Sequence, residues 1–214
     1  MTRIIMVRHG QSLANAQRRF AGHSNFDLSE LGHKQAEYAA KYLLKTEKID
    51  VIYASDLLRA YHTACPIGEA FGLPIIKDTG LREIYAGDWE ALTIEDISDR
   101  YPQDFHIWKN EYSVSRPTGG ESTKEVYERI VPHVLELAKK HDGETLLLAT
   151  HATVVRAFTA YAKGFSADET GMIPKFPQNA SINIFTYGDG RISAEAVDLT
   201  DHLEGLETQP DPHA

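Results

Sequence analysis

Apolar positions along the chain fall into short blocks separated by polar turns. Residues 3–7 (RIIMV), 50–54 (DVIYA) and 144–150 (ETLLLAT) are near-continuous apolar runs. Runs of this length read as strands buried on both faces, the pattern of a parallel sheet. Leu73 to Lys77 adds a further short strand. Between the strands the apolar period changes to that of a helix. Leu31, Ala36, Ala39 and Leu43 stripe a helix over about 30–45, behind Ser29 as N-cap. Ser55 and Asp56 are placed to cap a second helix, which Gly72 ends after Phe71; Pro66 belongs in its early turn or kinks it. Ser122 and Glu125 form a capping box that opens a long helix carrying Val126, Ile130, Val134 and Leu137. Another helix runs from residue 152 to about Lys163.

Residues 78–120 are the least regular part, with short helices predicted near 93–100 and 102–112. Long mixed segments of this kind tend to carry function. Residues 181–187 and 191–197 flank Gly188-Asp189-Gly190 and read as a hairpin. The order predicts an α/β fold: a three-layer α/β/α sandwich on a mainly parallel sheet, closed by a C-terminal hairpin. It forms one domain over residues 1–204, and the polar stretch 205–214, with two prolines, is predicted to be a disordered tail.

Composition narrows the class. The chain has 214 residues, is 42% hydrophobic, and carries a net charge of −9. Such a balance argues against a general nucleic-acid or membrane-surface binder, which needs clustered positive charge. The single cysteine, Cys65, can form neither an internal disulfide nor a thiolate zinc site, and its helical position reads as core. No run approaches a membrane span. Met1 to Val7 is too short for a signal peptide and is interrupted by Arg8 and His9, so a cytoplasmic location is expected. The charge is unevenly spread. Residues 1–26 hold Arg3, Arg8, Arg18 and Arg19 and no acid, whereas residues 192–214 hold six acids and no Lys or Arg.

Ligands of parallel sheets bind beyond the carboxyl ends of the strands. Arg8-His9-Gly10, Ser55 leading to Arg59, and His151 all follow predicted strands. Two histidines and two arginines converging there point to phosphoryl chemistry. Arginine grips phosphate oxygens with a planar, permanently charged fork. Gly10 lets backbone approach an anion. A neutral histidine is a competent nucleophile, and the reaction also needs a carboxyl group to protonate the leaving oxygen and later activate water. Residue types alone do not select that carboxyl among 31 acids.

The chain resembles the histidine phosphatase superfamily, or phosphoglycerate mutase-like family, and within it the short broad-specificity phosphatase branch. The blocks are IIMVRHGQSLAN (4–15), FDLSELGHKQA (26–36), IYASDLLRAYHTA (52–64), LREIYAGDWEAL (81–92), PTGGES (117–122) and LLLATHATVVRA (146–157). The resemblance implies a mostly parallel α/β/α fold, phosphorylation of His9, a phosphate pocket of Arg8, Arg59 and His151, and Glu83 as proton donor and acceptor. It places Asn15, Gly22 and Ala152 at the substrate, and implies no metal and no organic cofactor. Two positions depart from the pattern: Ala152 and Ala91 stand where glycine is common. Were position 152 to need a positive φ, alanine would cost about 1 kcal/mol; in the first helical turn it is harmless, which is the reading preferred.

The expected activity is therefore hydrolysis of a small phosphomonoester by a monomer or homodimer, with no nucleic-acid or membrane partner. One alternative is a phosphoglycerate mutase, which returns the phosphoryl group to a second hydroxyl. In segment 78–120 only Arg82, Arg100, Lys109 and Arg116 could clamp a bisphosphate. A non-catalytic phospho-ligand module is a further alternative, and it would be expected to lack a pocket residue. Glu90 rivals Glu83 for the carboxyl role. The Gln17-Arg18-Arg19-Phe20 stretch reads either as an entrance that meets a second anionic group or as solvated loop arginines. Trp89 and Trp108 read as anchors, and the histidines outside the pocket as unclustered surface residues.

Overall fold

The computed structural model describes residues 1–173 and 175–208. Strand β1 (Thr2–Arg8) is followed by a single helical turn, α1 (Leu13–Ala16), and by α2 (Glu30–Thr46). Next come β2 (Val51–Ala54), α3 (Leu58–Phe71) and β3 (Ile75–Lys77). The irregular segment contains α4 (Ile94–Arg100) and α5 (Pro102–Asn110). Helix α6 (Thr123–Lys140), β4 (Thr145–Thr150), α7 (Ala152–Ala162) and the strands β5 (Ile182–Gly188) and β6 (Arg191–Leu199) complete the order.

The six strands form one sheet in the order β3-β2-β4-β1-β5-β6. The first four are parallel, β5 runs antiparallel to β1, and β6 runs antiparallel to β5. Period two splits the apolar runs between the two faces. Ile4, Met6, Leu146 and Leu148 pack with Ile130, Val134, Val154 and Phe158 of α6 and α7. Ile5, Val7, Leu147 and Ala149 pack with Leu43, Ala64 and Ile67 of α2 and α3. The result is the predicted three-layer sandwich. The hairpin turns at Asp189 and Gly190, both at positive φ, as a two-residue connection requires.

Two local expectations change. Helix α3 begins at Leu58, and neither Ser55 nor Asp56 caps it. Its first amide, Leu58 N–H, donates instead to Asn25 Oδ1 at 2.8 Å, from a loop remote in sequence. Pro66 lies well inside α3 rather than in its early turn. Trp89 and Trp108 are buried in the core, as anchors. Several outlying histidines are paired rather than free: His62 with Asp27 at 2.6 Å and His133 with Asp78 at 2.8 Å. Residues 205–208 lie against the domain, where Gln35 Nε2 donates to the Leu206 carbonyl at 2.7 Å and Thr208 Oγ1 to Asn179 Oδ1 at 3.1 Å. The rest of the predicted tail, 209–214, lies outside the described residues. Among those described, no helix is long and apolar enough to cross a membrane.

Candidate active site

Strands β2, β4 and β1 are neighbours in register, with Ala54 opposite Ala149 and Arg8 opposite Thr150. Their carboxyl ends therefore deliver Ser55, His151 and His9 to one edge of the sheet. The His9 backbone is pinned on both sides. Its amide donates to Thr150 O at 2.9 Å, and its carbonyl accepts from Ala180 N at 3.1 Å and Asn179 Nδ2 at 3.2 Å. Gly10 is required by crowding, because a Cβ there would lie 2.5 Å from the Gly32 carbonyl oxygen at the start of α2.

The His9 ring meets the Gly10 carbonyl through Nδ1 at 2.7 Å. A carbonyl only accepts, so Nδ1 carries the proton and Nε2 keeps its lone pair. Burial, then the charges of Arg59 and Arg8, hold the His9 pKa well below the ordinary imidazole value. Burial and Arg59 lower His151 in the same way. His151 Nε2 lies 2.8 Å from Ser55 Oγ, while its buried Nδ1 has no hydrogen-bond partner among the described residues. Arg59, from the first turn of α3, is fully buried. It donates through Nη2 to Gly22 O at 2.7 Å and through Nη1 to Ser24 O at 3.0 Å. Desolvation pulls its pKa down to about 10, still cationic at neutral pH. Arg8 Nη1 donates to Pro177 O at 2.5 Å.

Glu83 is buried across the same cleft. Its Oε1 accepts from Ile84 N at 2.9 Å, and its Oε2 lies 3.4 Å from Thr153 N. Its backbone carbonyl is held by His23 Nε2 at 2.8 Å and Arg129 Nη2 at 3.0 Å. Glu90, the rival acid, is spent elsewhere. Its carboxylate accepts from the amides of His23, Ser24 and Ala86 and from Ser24 Oγ, tying the 22–24 loop to the 86–90 loop. Gly22 sits at φ +48° against that carboxylate, and a Cβ there would overlap it.

These side chains surround a small cleft that is open to solvent. Arg8, His9, Asn15, Gly22, Arg59, Glu83 and Ala152 line it, with His151 behind His9 at a ring-centroid distance of 5.3 Å. Thus all the predicted site residues except His151 line one cleft, and His151 adjoins it beside His9. Asn15 Oδ1 accepts from Ser12 N, Ser12 Oγ and Asn179 Nδ2. Ala152 is the first residue of α7, where alanine is unstrained; the positive φ falls instead on Ala91, at +62°. Of the four basic residues in 78–120, none lines the cleft. Arg82 pairs with Asp56 at 2.5 Å, Arg116 with Glu125 at 2.7 Å and Arg100 with Asp96 at 3.7 Å, and Lys109 lies over the Phe105 ring. No group of three or more His, Cys, Asp or Glu that could hold a metal ion occurs among the described residues.

Sequence reasoning missed Ser55 as the partner of His151, Asn179 as a brace for His9 and Asn15, and Arg129 as the holder of the Glu83 loop. None had a local signal, because each acts across 46 to 170 residues of chain.

The sequence model of the histidine phosphatase superfamily (branch 1) matches residues 4–200. The chain belongs to this superfamily. Phosphoserine phosphatase 1 of Hydrogenobacter thermophilus is 34% identical over 95% of both chains. Phosphoglycerate mutase-like protein 4 of Arabidopsis thaliana is 33% identical over 87% of this chain and 80% of its own. A solved mycobacterial glucosyl-3-phosphoglycerate phosphatase, complexed with VO3, superposes with a TM-score of 0.85 at 32% identity, covering 92% of this chain and 99% of the other. The expected family, its α/β fold and its phosphatase branch thus agree with the relatives found.

Proposed function

We propose that the chain is a phosphatase that hydrolyses a small phosphomonoester through a phosphohistidine on His9. One observation carries this reading: a neutral His9, its proton fixed on Nδ1, presents Nε2 in a cleft whose cations include Arg8 and Arg59 and whose acid is Glu83. In the first step Nε2 attacks phosphorus in line and a P–N bond forms while the ester P–O bond breaks. The Glu83 carboxyl gives its proton to the leaving oxygen. In the second step the Glu83 carboxylate takes a proton from water. That water's oxygen attacks phosphorus, the P–N bond breaks, and His9 returns to its neutral form.

On this reading Arg8, Arg59 and His151, whose Nδ1 has no partner among the described residues, donate to the equatorial phosphoryl oxygens, which carry the spread charge of the transition state. Asn15, Gly22 and the start of α7 at Ala152 complete the substrate surface. Hydrolysis is favoured over transfer to a second hydroxyl because no basic residue of 78–120 reaches the cleft to clamp a bisphosphate. The test is release of p-nitrophenol from p-nitrophenyl phosphate with no added metal. Release that persists in EDTA and is lost in His9→Ala is the expected result. Full activity of His9→Ala sinks the mechanism.

A further inference from the structure

Arg19 is the cation of the cleft that the phosphoryl chemistry does not use. It follows α1 on the turn that bridges to Thr93, and it lines the cleft beside Phe20 and Ile94. Its guanidinium is fixed by two neutral acceptors. Nε donates to Gln17 Oε1 at 3.1 Å, and Nη1 donates to the Ala91 carbonyl at 2.8 Å. Its Nη2 makes no hydrogen bond among the described residues. The neighbouring Arg18 points to Glu95 at 3.9 Å, whereas no carboxylate of the described residues lies within ion-pair distance of Arg19. Asp96 feels its charge, but that carboxylate is bound to Thr93 Oγ1 at 2.8 Å as part of the α4 cap.

A half-buried, oriented guanidinium without an acid is built to receive one. Charge matching sets the class of that acid. With Glu83 holding the proton that the first step spends, a phosphomonoester dianion is balanced by Arg8 and Arg59, and Arg19 is left as one positive charge in excess. Phe20, Ile84 and Ile94 supply apolar wall for a short carbon skeleton between the two anionic ends. We infer that Arg19 is a specificity-determining residue that binds a carboxylate on the substrate, which is therefore a small phosphorylated acid rather than the phosphate ester of a neutral alcohol. This inference rests on the phosphatase reading.

The test compares 3-phosphoglycerate with glycerol 3-phosphate, which differ in a carboxylate against a hydroxymethyl group. Calorimetric titration of the full chain carrying His9→Ala gives a dissociation constant for each without turnover. With Arg19 present, 3-phosphoglycerate is expected to bind at least about tenfold more tightly, the scale of a charge-assisted hydrogen-bonded pair. Adding Arg19→Met is expected to bring the ratio close to one. Arg19→Gln should do the same while keeping a donor for the Ala91 carbonyl, and it serves where the Met variant fails to fold. A ratio near one with Arg19 in place overturns the inference, as does a ratio that survives both substitutions. Equal weakening of both ligands makes Arg19 part of the scaffold and also overturns it. Failure of the wild-type chain to release p-nitrophenol is a separate result, which removes the phosphatase reading and leaves the binding ratio measurable.

Discussion

The imidazoles of His9 and His151 stand 5.3 Å apart, centroid to centroid, with their planes tilted by 59°. Each ring spends one nitrogen on its own scaffold: His9 Nδ1 on the Gly10 carbonyl, and His151 Nε2 on Ser55 Oγ. Two imidazolium ions at this separation, beside Arg8 and Arg59, would repel one another, and burial of both rings weakens the screening that bulk solvent gives. Both rings are accordingly held neutral, one with a lone pair to give and the other with a nitrogen left for an anion.

This pairing makes stability pH-dependent. His9 and His151 have lowered pKa values in the fold, through burial first and neighbouring cations second. Between those values and the ordinary histidine value of about 6.5, the unfolded chain binds more protons than the folded one. Stability therefore falls as pH drops below about 6.5, by up to about 1.4 kcal/mol per pH unit for each histidine. His133 works in the opposite sense, because Asp78 raises its pKa and its contribution is lost as pH rises. The two pocket histidines outweigh it. Melting temperature should decline from pH 7 to pH 5, with a shallower slope in His151→Gln. A flat profile in the wild type would contradict the neutral pair.

Glu83→Gln separates the two proton transfers. The amide oxygen of the substituted side chain can still accept from Ile84 N, as Glu83 Oε1 does, so the loop is retained. With an alkyl phosphate the leaving oxygen needs a proton, and the first step should slow by about 10²- to 10⁴-fold. With p-nitrophenyl phosphate the leaving group departs unaided, so the variant should show a burst of p-nitrophenol followed by slow turnover as the phosphohistidine accumulates. Stopped-flow absorbance reads this directly. An absent burst would assign Glu83 a role other than proton transfer.

Arg129 holds the Glu83 loop by its backbone. It donates to the carbonyls of Gly80, Arg82 and Glu83 and pairs with Glu121 at 2.6 Å. Arg129→Ala releases three carbonyls and leaves Glu121 half-buried without its partner. The expected cost is about 2 kcal/mol, discounted for partial solvent exposure, read as a shift in the denaturation midpoint. Activity on alkyl phosphates should fall more than activity on p-nitrophenyl phosphate, because the displaced group is the proton donor.

Ala91 adopts φ +62° while its amide donates to Phe20 O at 2.9 Å and its carbonyl accepts from Arg19. Left-handed backbone costs an L-residue about 1–2 kcal/mol, partly offset by the larger unfolded-state entropy of glycine. Ala91→Gly should therefore stabilise the chain by about 0.5–1 kcal/mol, measured as a rise in melting temperature. A fall would show that the Ala91 methyl packs more favourably than its backbone is strained.

Much of this was readable from residue types and their spacing. Ile4 to Val7 and Leu146 to Ala149 announced a parallel sheet because strands buried on both faces must be apolar throughout. Strand exits then marked Arg8, His9 and His151 without any knowledge of which strands adjoin. Glu83 was different: among the acids nothing local distinguished it from Glu90, and only the family resemblance selected it. The structure separates them physically, since Glu90 is consumed by three amides and a hydroxyl while Glu83 faces the cleft. Similarly, alanine at 152 and alanine at 91 look alike in the sequence, and only backbone geometry shows that the second is the strained one.

The layer architecture and the pocket's histidines and arginines follow from residue order alone, because hydrophobic period and local motifs are short-range properties of a chain. Which partners tune those groups depends on how the chain packs. Ser55 leaves the helix it could have capped for His151, Asn25 takes over the cap, and Asn179 reaches back to the His9 carbonyl. These choices depend on which strand ends and loops become neighbours. That is settled by burying two faces of one sheet at once, a requirement that no local stretch of sequence expresses.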